Sequence, residues 1–363
     1  MTIDTKSPVP HYAPAAPTQE NLTYADLGIV DLAKASTAEG LAELATTARD
    51  ALHNIGFFYI INHGLSRPET ERMFDIADVP FSQVPDQEKS EYRAKIIEAG
   101  SYQGYKPRQF WHINGGVKDQ IETYNINRNV AKKQHPEALR PYLPEIGDFA
   151  RHNHGILHTI LRLLAIGLEL PEDTFVNQHK WESASETYVR FMKYYPRTAE
   201  DEEKAQQVWL KGHTDIGSIT ILWSQPVSAL QILSPDGQWK WLRHVDNALV
   251  VNAGDCMEFL SGGFYKATIH RVIQPPVDQR GHTRLGIIYF GSPDENVKLL
   301  PASESSVLER VGICRRFEDK DAPTVGSYRT GRTASYGTVT LKQSEEKDIE
   351  VEVVSGVVVK HYN

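Results

Sequence analysis

From residue 36 the apolar positions fall three and four apart. Leu41, Leu44, Ala45, Ala48 and Leu52 share one face of a helix expected over 36–56. Ser36 and Glu39 have capping-box spacing, and Gly56 is placed to end the helix. The run "FFYIIN" at 57–62 then reads as a buried strand. Residues 66–95 return to helical spacing with an interruption at Pro80, and residues 96–135 become loop-rich and aromatic. Within them "GSYQGYKPRQFWHINGG" reads as a long ordered loop. The strongest helix is "DFARHNHGILHTILRLLAIGLELP" at 148–171, with Ile156, Ile160, Leu163, Leu164 and Leu168 on one face and Pro171 as its stop.

From about residue 186 the period changes from helical to strand-like. "ETYVRFMKYYP", "SITILWS", "ALQILSPDGQWKWLRH", "ALVVNAG", "CMEFLSGG", "KATIHRVI" and "TRLGIIYFG" follow one another across short turns. Asp236-Gly237 is a hairpin turn signal. So many short strands with Gly, Pro and Asp punctuation predict a mainly β protein with flanking helices (α+β), built on a jelly-roll core. The expected organisation is an arm over 1–24 that wraps the surface or stays mobile, then a single domain over 25–363. That domain divides into a mostly helical flank (25–185), a jelly roll (186–295) and a C-terminal segment (296–363). The last mixes a helical piece, a loop "PTVGSYRTGRTASYG" and the apolar "DIEVEVVSGVVV".

Composition narrows the function classes. A chain of 363 residues can bury a large core, and 40% hydrophobic with 24% charged residues is ordinary for a globular protein. The net charge of −8 argues against nucleic acid or an anionic membrane as partner. Two cysteines, Cys256 and Cys314, make neither a disulfide framework nor a zinc motif. The N-terminus lacks an apolar signal region, and nowhere do 18 uncharged apolar residues run together. These features together read as a cytoplasmic protein.

Candidate chemistry begins at "KGHTDIGSITIL" (211–222), where His213 and Asp215 stand two positions apart at the edge of a strand pattern. Among 14 histidines an H-x-D pair can arise by chance. A third donor, His270, lies in the later strand "TIHRVI", and a jelly roll can bring such distant residues together at its mouth. Two imidazoles and one carboxylate on one face of an octahedron leave three positions open, which suits non-haem Fe(II) holding a co-substrate and O2. Structural zinc would call for a closed set of four ligands. Further on, "HTRLGIIYF" sets Arg284 among apolar strand residues. Such an arginine pairs with an anion, either a protein carboxylate in a structural bridge or a dicarboxylate ligand held by its fork.

"HTDIGSITIL", "VVNAGDCMEFLSGGFYKATIHRVI" and "TRLGIIYF" resemble, in order and spacing, the core of the 2-oxoglutarate/Fe(II)-dependent dioxygenases of the isopenicillin N synthase-like family. "GFFYIINHGL" (56–65), "KDQIETYNI" (118–126) and "VRFMKYYP" (189–196) extend the resemblance over about residues 25–300. It implies a double-stranded β-helix core, with His213, Asp215 and His270 as catalytic iron ligands. It also implies Arg284 as holder of the distal carboxylate of 2-oxoglutarate and Tyr195 as a hydrogen-bonding partner of the same co-substrate. The implied reaction uses Fe(II), 2-oxoglutarate and O2. It releases succinate and CO2 while a C–H bond of a small-molecule metabolite is hydroxylated, desaturated or closed into a ring, as in specialised metabolism.

Two positions depart from the family pattern. Arg284-Leu285-Gly286 stands where Arg-x-Ser is usual, and Lys193 where the strand usually carries Asn. The lost hydroxyl keeps a 2-oxoglutarate-independent oxidase in view, beside a non-catalytic binding protein and a zinc hydrolase. By location, Tyr102, Tyr105, Phe110 and Trp111 of the aromatic loop are substrate candidates, with Phe264 and Tyr328 behind them. His154 and His158 lie four apart on a helix but lack a carboxylate, Asp255 reads as a turn residue, and His282 falls in a turn. The substrate and the oligomeric state stay open.

Overall fold

The computed structural model describes residues 6–315, 317–335, 342–343, 349–354 and 357–362. The first half of the chain runs through β1 (Gly28–Asp31), α1 (Ala38–Asn54), β2 (Phe57–Ile61), α2 (Arg67–Ser82), α3 (Asp86–Glu91), α4 (Ile96–Ala99), β3 (Gly104–Lys106), β4 (Ile121–Asn127) and α5 (Leu143–Gly167). The barrel strands follow: β5 (Tyr188–Tyr194), α6 (Ala199–Lys204), β6 (Val208–His213), β7 (Ile219–Trp223), β8 (Leu230–Leu233), β9 (Trp239–Trp241), β10 (Leu249–Ala253), α7 (Asp255–Leu260), β11 (His270–Ile273) and β12 (Arg284–Gly291). Then come α8 (Ser306–Val311), α9 (Val325–Ser335), β13 (Lys342–Gln343), β14 (Ile349–Val354) and β15 (Val357–Tyr362).

Two sheets form the jelly roll. One has the order β1-β2-β10-β7-β12-β5-β4-β3, the other β13-β14-β15-β6-β11-β8-β9. Strand alternation gives the eight-stranded sheet two apolar faces. Its outer residues, among them Val189, Phe191, Ile221, Leu285, Ile287 and Tyr289, join the core under α1, α2 and α5. Its inner residues Met192, Tyr194, Val250 and Ile288 pack with Leu210, Leu230, Ile232 and Val272 of the second sheet. Burying each Leu or Ile in this way stabilises by about 1.5–3 kcal/mol. Four strands of the eight-stranded sheet, β1 to β4, come from the segment expected to be mostly helical.

Several elements differ from the sequence expectation. Ser36 ends a 3-10 turn at Leu32–Ser36, so Thr37 caps α1 instead, its hydroxyl accepting from Gly40 N at 3.0 Å. Replacing Thr37 by alanine is expected to cost about 1 kcal/mol, measured by urea unfolding. Helix α2 runs through Pro80 to Ser82 and helix resumes as α3 at Asp86–Glu91, so the interruption expected at Pro80 falls a few residues later. The region expected to be loop-rich carries the short β3 inside the expected loop and a fully buried strand, β4, after it. "CMEFL" is helix α7, not a strand: a short apolar run buried on every side carries no usable period. The segment expected as a loop, "VGSYRTGRTAS", is helix α9.

Residues 6–24 of the arm lie on the surface. Tyr142 Oη donates to Pro8 O, Arg72 to Ser7 O, and the Gln19 and Thr18 donors both reach Asp278. Among the described residues no helix is long and apolar enough to cross a membrane.

Candidate active site

The last residue of β6, His213, lies opposite the first residue of β11, His270, in the antiparallel ladder, with imidazole centroids 4.5 Å apart. Asp215 follows in the turn between β6 and β7. That turn packs backbone to backbone on Gly254, where a Cβ would lie 2.3 Å from Gly217 O and 2.8 Å from Asp215 O. One ligand atom from each of the three residues lies within 4.8 Å of the others, and no other such group occurs among the described residues.

Hydrogen bonds orient all three side chains. His213 Nδ1 donates to Lys211 O at 2.8 Å and His270 Nδ1 to Thr268 O at 3.2 Å. A carbonyl can only accept, so both rings carry their proton on Nδ1 and a lone pair on Nε2. Asp215 Oδ2 accepts from Thr220 Oγ1 at 2.6 Å and Asn252 Nδ2 at 2.9 Å. Its Oδ1 stands 4.0 Å from His213 Nε2 and 3.8 Å from His270 Nε2. Burial, then the neighbouring His270, holds His213 neutral well below the usual imidazole range. Burial pushes the Asp215 carboxyl up, but the two imidazoles and the Asn252 and Thr220 bonds outweigh it, so the group stays ionised. Two imidazoles and one carboxylate, converging with their second donors already engaged, fit a divalent iron with open positions.

A cavity opens beside His213 and Asp215, with about 770 Å3 of empty space that includes open solvent at its mouth. Tyr102, Trp111, Tyr188, Arg190, Met192 and Phe290 are among its walls. Trp111 is pinned by a buried ion pair: Asp119 accepts from Lys106 Nζ at 2.8 Å and also from the Phe110 and Trp111 amides. The Lys106 ammonium lies 4.2 Å over the Trp111 ring. From the C-terminal side, α9 brings Arg329 and Arg332 to the wall. Arg332 donates to Thr214 O at 3.1 Å, between the two ligands His213 and Asp215, and faces Asp255 Oδ2 at 3.4 Å.

Arg284 begins β12 on its inner face. Its Nε reaches only a backbone carbonyl, Val227 O, at 3.3 Å, and its guanidinium lies 5.5 Å from the Tyr194 ring centroid. No carboxylate pairs with it among the described residues, so the structural-bridge alternative lacks a partner. Burial pulls its pKa below the usual arginine value.

Not every expected residue gathers here. Tyr195 is displaced from Arg284 by strand parity. Arg284 is registered with Tyr194, whose side chain shares the inner face with Met192 and Arg190. Tyr195 falls on the other face, where its hydroxyl donates to Glu122 at 2.5 Å and Arg108 covers its ring. Of the substrate candidates, Tyr102 and Trp111 line the cavity. Tyr105 does not, since its hydroxyl is bound to Glu122 on the outer face. Phe110 packs beside Trp111 outside the lining, and Phe264 is stacked on His53 at 4.1 Å in the helical core. Tyr328 is buried with its hydroxyl on Asp255. Asp255 opens α7 and is no turn residue. His154 meets the Tyr289 hydroxyl and His158 the His179 carbonyl, without a shared carboxylate.

Among the lining residues that sequence reasoning passed over are three arginines, Arg190, Arg329 and Arg332; the first is the most legible. A signal was available, because "YVRFMKYY" places it on the same strand face as Tyr188, Met192 and Tyr194.

Comparison with known proteins adds an independent finding. Residues 186–293 match the 2OG-Fe(II) oxygenase superfamily, and residues 27–145 match the non-haem dioxygenase in morphine synthesis N-terminal region. A UPF0676 protein of Schizosaccharomyces pombe is 30% identical over 314 residues, which cover 84% of this chain and 90% of the relative. Scopoletin 8-hydroxylase of Arabidopsis thaliana is 27% identical over 309 residues, 83% of this chain and 80% of the relative. A full-length Neurospora crassa protein, solved in complex with alpha-KG and thymine, shares the fold with a TM-score of 0.72 at 22% identity, over 85% of this chain and 96% of that one.

Proposed function

This chain belongs to the 2OG-Fe(II) oxygenase superfamily, and from that membership we propose that His213, Asp215 and His270 hold its Fe(II) while Arg284 holds the far carboxylate of 2-oxoglutarate. The enzyme is a 2-oxoglutarate-dependent dioxygenase that acts on a small molecule. The observation that carries the site assignment is Arg284: a buried guanidinium without a protein carboxylate among the described residues, in the same barrel as a two-histidine, one-carboxylate cluster. An uncompensated buried cation is costly to the fold, and a bound carboxylate removes that cost.

Iron bound at the cluster supplies the O2 chemistry that couples decarboxylation of 2-oxoglutarate, to succinate and CO2, with oxidation of a substrate C–H bond. The residues of the chain do the rest. Lys211 O and Thr268 O fix the ring orientations and tautomers of the two histidines, so both present Nε2. Thr220 and Asn252 hold one oxygen of Asp215 and thereby aim the other at the histidines. Arg284 positions the co-substrate by charge and fork geometry. Trp111, Tyr188 and Phe290 keep water from the side of the cavity where substrate docks.

Anaerobic titration of the Fe(II)-loaded protein with 2-oxoglutarate tests this reading. A weak visible charge-transfer band that grows and saturates is expected. One equivalent of bound iron without any band would overturn it.

Gly286 gives a finer test of Arg284. It lies on the inner face of β12, where an added Cβ would meet Arg284 Nη1 at 3.8 Å, Met192 O at 3.9 Å and Leu222 Cδ1 at 4.0 Å, all ordinary contacts. Gly286→Ser therefore fits without displacement and adds a hydroxyl beside the carboxylate site. The same titration should show 2-oxoglutarate bound about 3- to 10-fold more tightly, the worth of one hydrogen bond. Unchanged affinity would take the far carboxylate away from position 286.

A further inference from the structure

We propose that the substrate is an organic carboxylate with a flat or ring-bearing body, and that Arg190 receives its charge. The proposal rests on the reading that this cavity is the oxygenase site.

The first support is a count of charges around the cavity. Its lining carries three arginines, and two have a protein carboxylate: Arg329 has Glu295 at 2.8 Å and Arg332 has Asp255 at 3.4 Å. Arg190 has none among the described residues. Its Nε donates to Asn125 Oδ1 at 2.6 Å and its Nη2 to Tyr188 Oη at 3.2 Å, both neutral acceptors. Of the carboxylates in the lining, Asp215 faces the histidines, and Glu186, bonded by Ser101 Oγ at 2.9 Å, keeps its charge but forms no ion pair with Arg190. Arg190 is buried, and a buried cation with only neutral partners lacks the counter-charge that such groups normally find.

The second support is how the group is held. Its Cζ lies 5.3 Å from the Tyr102 ring centroid, 5.4 Å from that of Tyr188 and 4.8 Å from that of Phe290. With Asn125 on Nε, these rings fix the guanidinium before any ligand arrives, which lowers the entropic cost of receiving an oxyanion. Tyr102, Phe290 and Trp111 are also the surfaces on which a planar body would lie.

The third support is position. In the β5–β12 ladder Arg190 is registered with Ile288 and Arg284 with Tyr194. Four strand residues separate the two arginines, about 13 Å along the sheet. Arg190 contacts Phe290 and Tyr188, which lie on the side away from Arg284. Phe290 is in turn registered with Thr220, whose hydroxyl holds Asp215. The second cation therefore leans toward the ligand row, while the first stands behind it at the co-substrate end. The inner face of the β5–β12 ladder thus carries two guanidiniums without a protein carboxylate among the described residues, Arg284 and Arg190, and 2-oxoglutarate accounts for one.

The test uses the full chain, anaerobic, with Fe(II) and saturating 2-oxoglutarate. Matched probes are benzoate, phenylacetate and cinnamate against their primary amides, which keep the ring and lose the charge. Binding is read from perturbation of the chelate band and from thermal melting. The acids are expected to bind and the amides not. Arg190→Met should weaken the acids roughly tenfold or more, and Arg190→Lys should keep part of that binding. Amides that bind as well as acids, acids that bind Arg190→Met undiminished, or a formed chelate that takes up no acid would each overturn the proposal. So would a chelate that itself weakens in Arg190→Met, since Arg190 would then serve the co-substrate. If no chelate band forms in the wild type, the oxygenase reading fails instead. The melting shift of the metal-free chain with acids against amides, in wild type and Arg190→Met, then still decides the role of Arg190.

Discussion

In His270→Ala, succinate release is expected to fall below detection while the fold persists. His270 begins β11, pairs with Ile232 on one side and His213 on the other, and alanine keeps those backbone bonds. What disappears is the Nε2 ligand atom, the Nδ1 hydrogen bond to Thr268 O and an edge contact of the ring with Phe57, centroids 5.6 Å apart. A four-ligand metal site binds with about 10–16 kcal/mol, so each ligand carries on the order of 4 kcal/mol, or about 10^3-fold in metal affinity. The structural loss is that of an ordinary partial core truncation, about 1–2 kcal/mol. Equilibrium dialysis with Fe(II), far-UV circular dichroism and succinate assay should therefore separate, with metal and turnover lost and secondary structure kept. A variant that retains wild-type turnover would remove His270 from the ligand set.

Arg284→Met should separate binding from stability with opposite signs. The methionine stem preserves the packing against Tyr194 and removes a cation that lacks a carboxylate partner among the described residues. Truncating one side of a buried charge pair costs about 2–5 kcal/mol, so 2-oxoglutarate affinity should fall by about 30- to 5,000-fold. Without 2-oxoglutarate no pair exists to break, and replacing a lone buried charge by an apolar side chain is neutral or stabilising. The melting temperature of the apo variant is expected to equal or exceed that of the wild type, while its rise on adding 2-oxoglutarate disappears. An unchanged chelate titration would show that the far carboxylate is held elsewhere.

These charged groups were legible in the sequence to different degrees, for reasons that can be stated. His213, Asp215, His270 and Arg284 each stand at or beside the end of a strand whose apolar period is plain, so their positions could be read from the pattern together with the family resemblance. Tyr195 could not be placed that way, because "YYP" offers two adjacent tyrosines and only the pairing of Arg284 with Tyr194 decides which faces inward. Arg190 met the same argument that singled out Arg284, a charge among apolar strand residues, yet its Asn125 partner comes from β4, a strand hidden in an aromatic region without clear period.

Helix α9 shows a second kind of illegibility. "VGSYRTGRTAS" contains two glycines and several hydroxyl residues, a composition that disfavours helix. The helix forms because Tyr328 and Arg332, four apart on one face, both meet Asp255 at the start of α7. That is a tertiary contact across more than seventy residues, and propensity cannot report it. Helix α7 was lost for the opposite reason, being too short and too thoroughly buried for period to distinguish it from a strand.

The pairing of β2 with β10 has a consequence for how the protein is made. "FFYII" leaves the ribosome early, but the antiparallel partner that covers its edge, Leu249–Ala253, emerges only after most of the barrel has been translated. At about 5–20 residues per second the wait is roughly ten to forty seconds. Through that interval only the short β1 can pair with this strand, which is apolar on both faces and carries no charge. The arm is in the same position, because its bonds to Asp278 close a loop of about 260 residues at a cost of about 5 kcal/mol until the sheet has shortened the path. The aggregation hazard of this enzyme thus belongs to the unfinished chain, and a chaperone that shields residues 57–61 during synthesis would act where the exposure is longest.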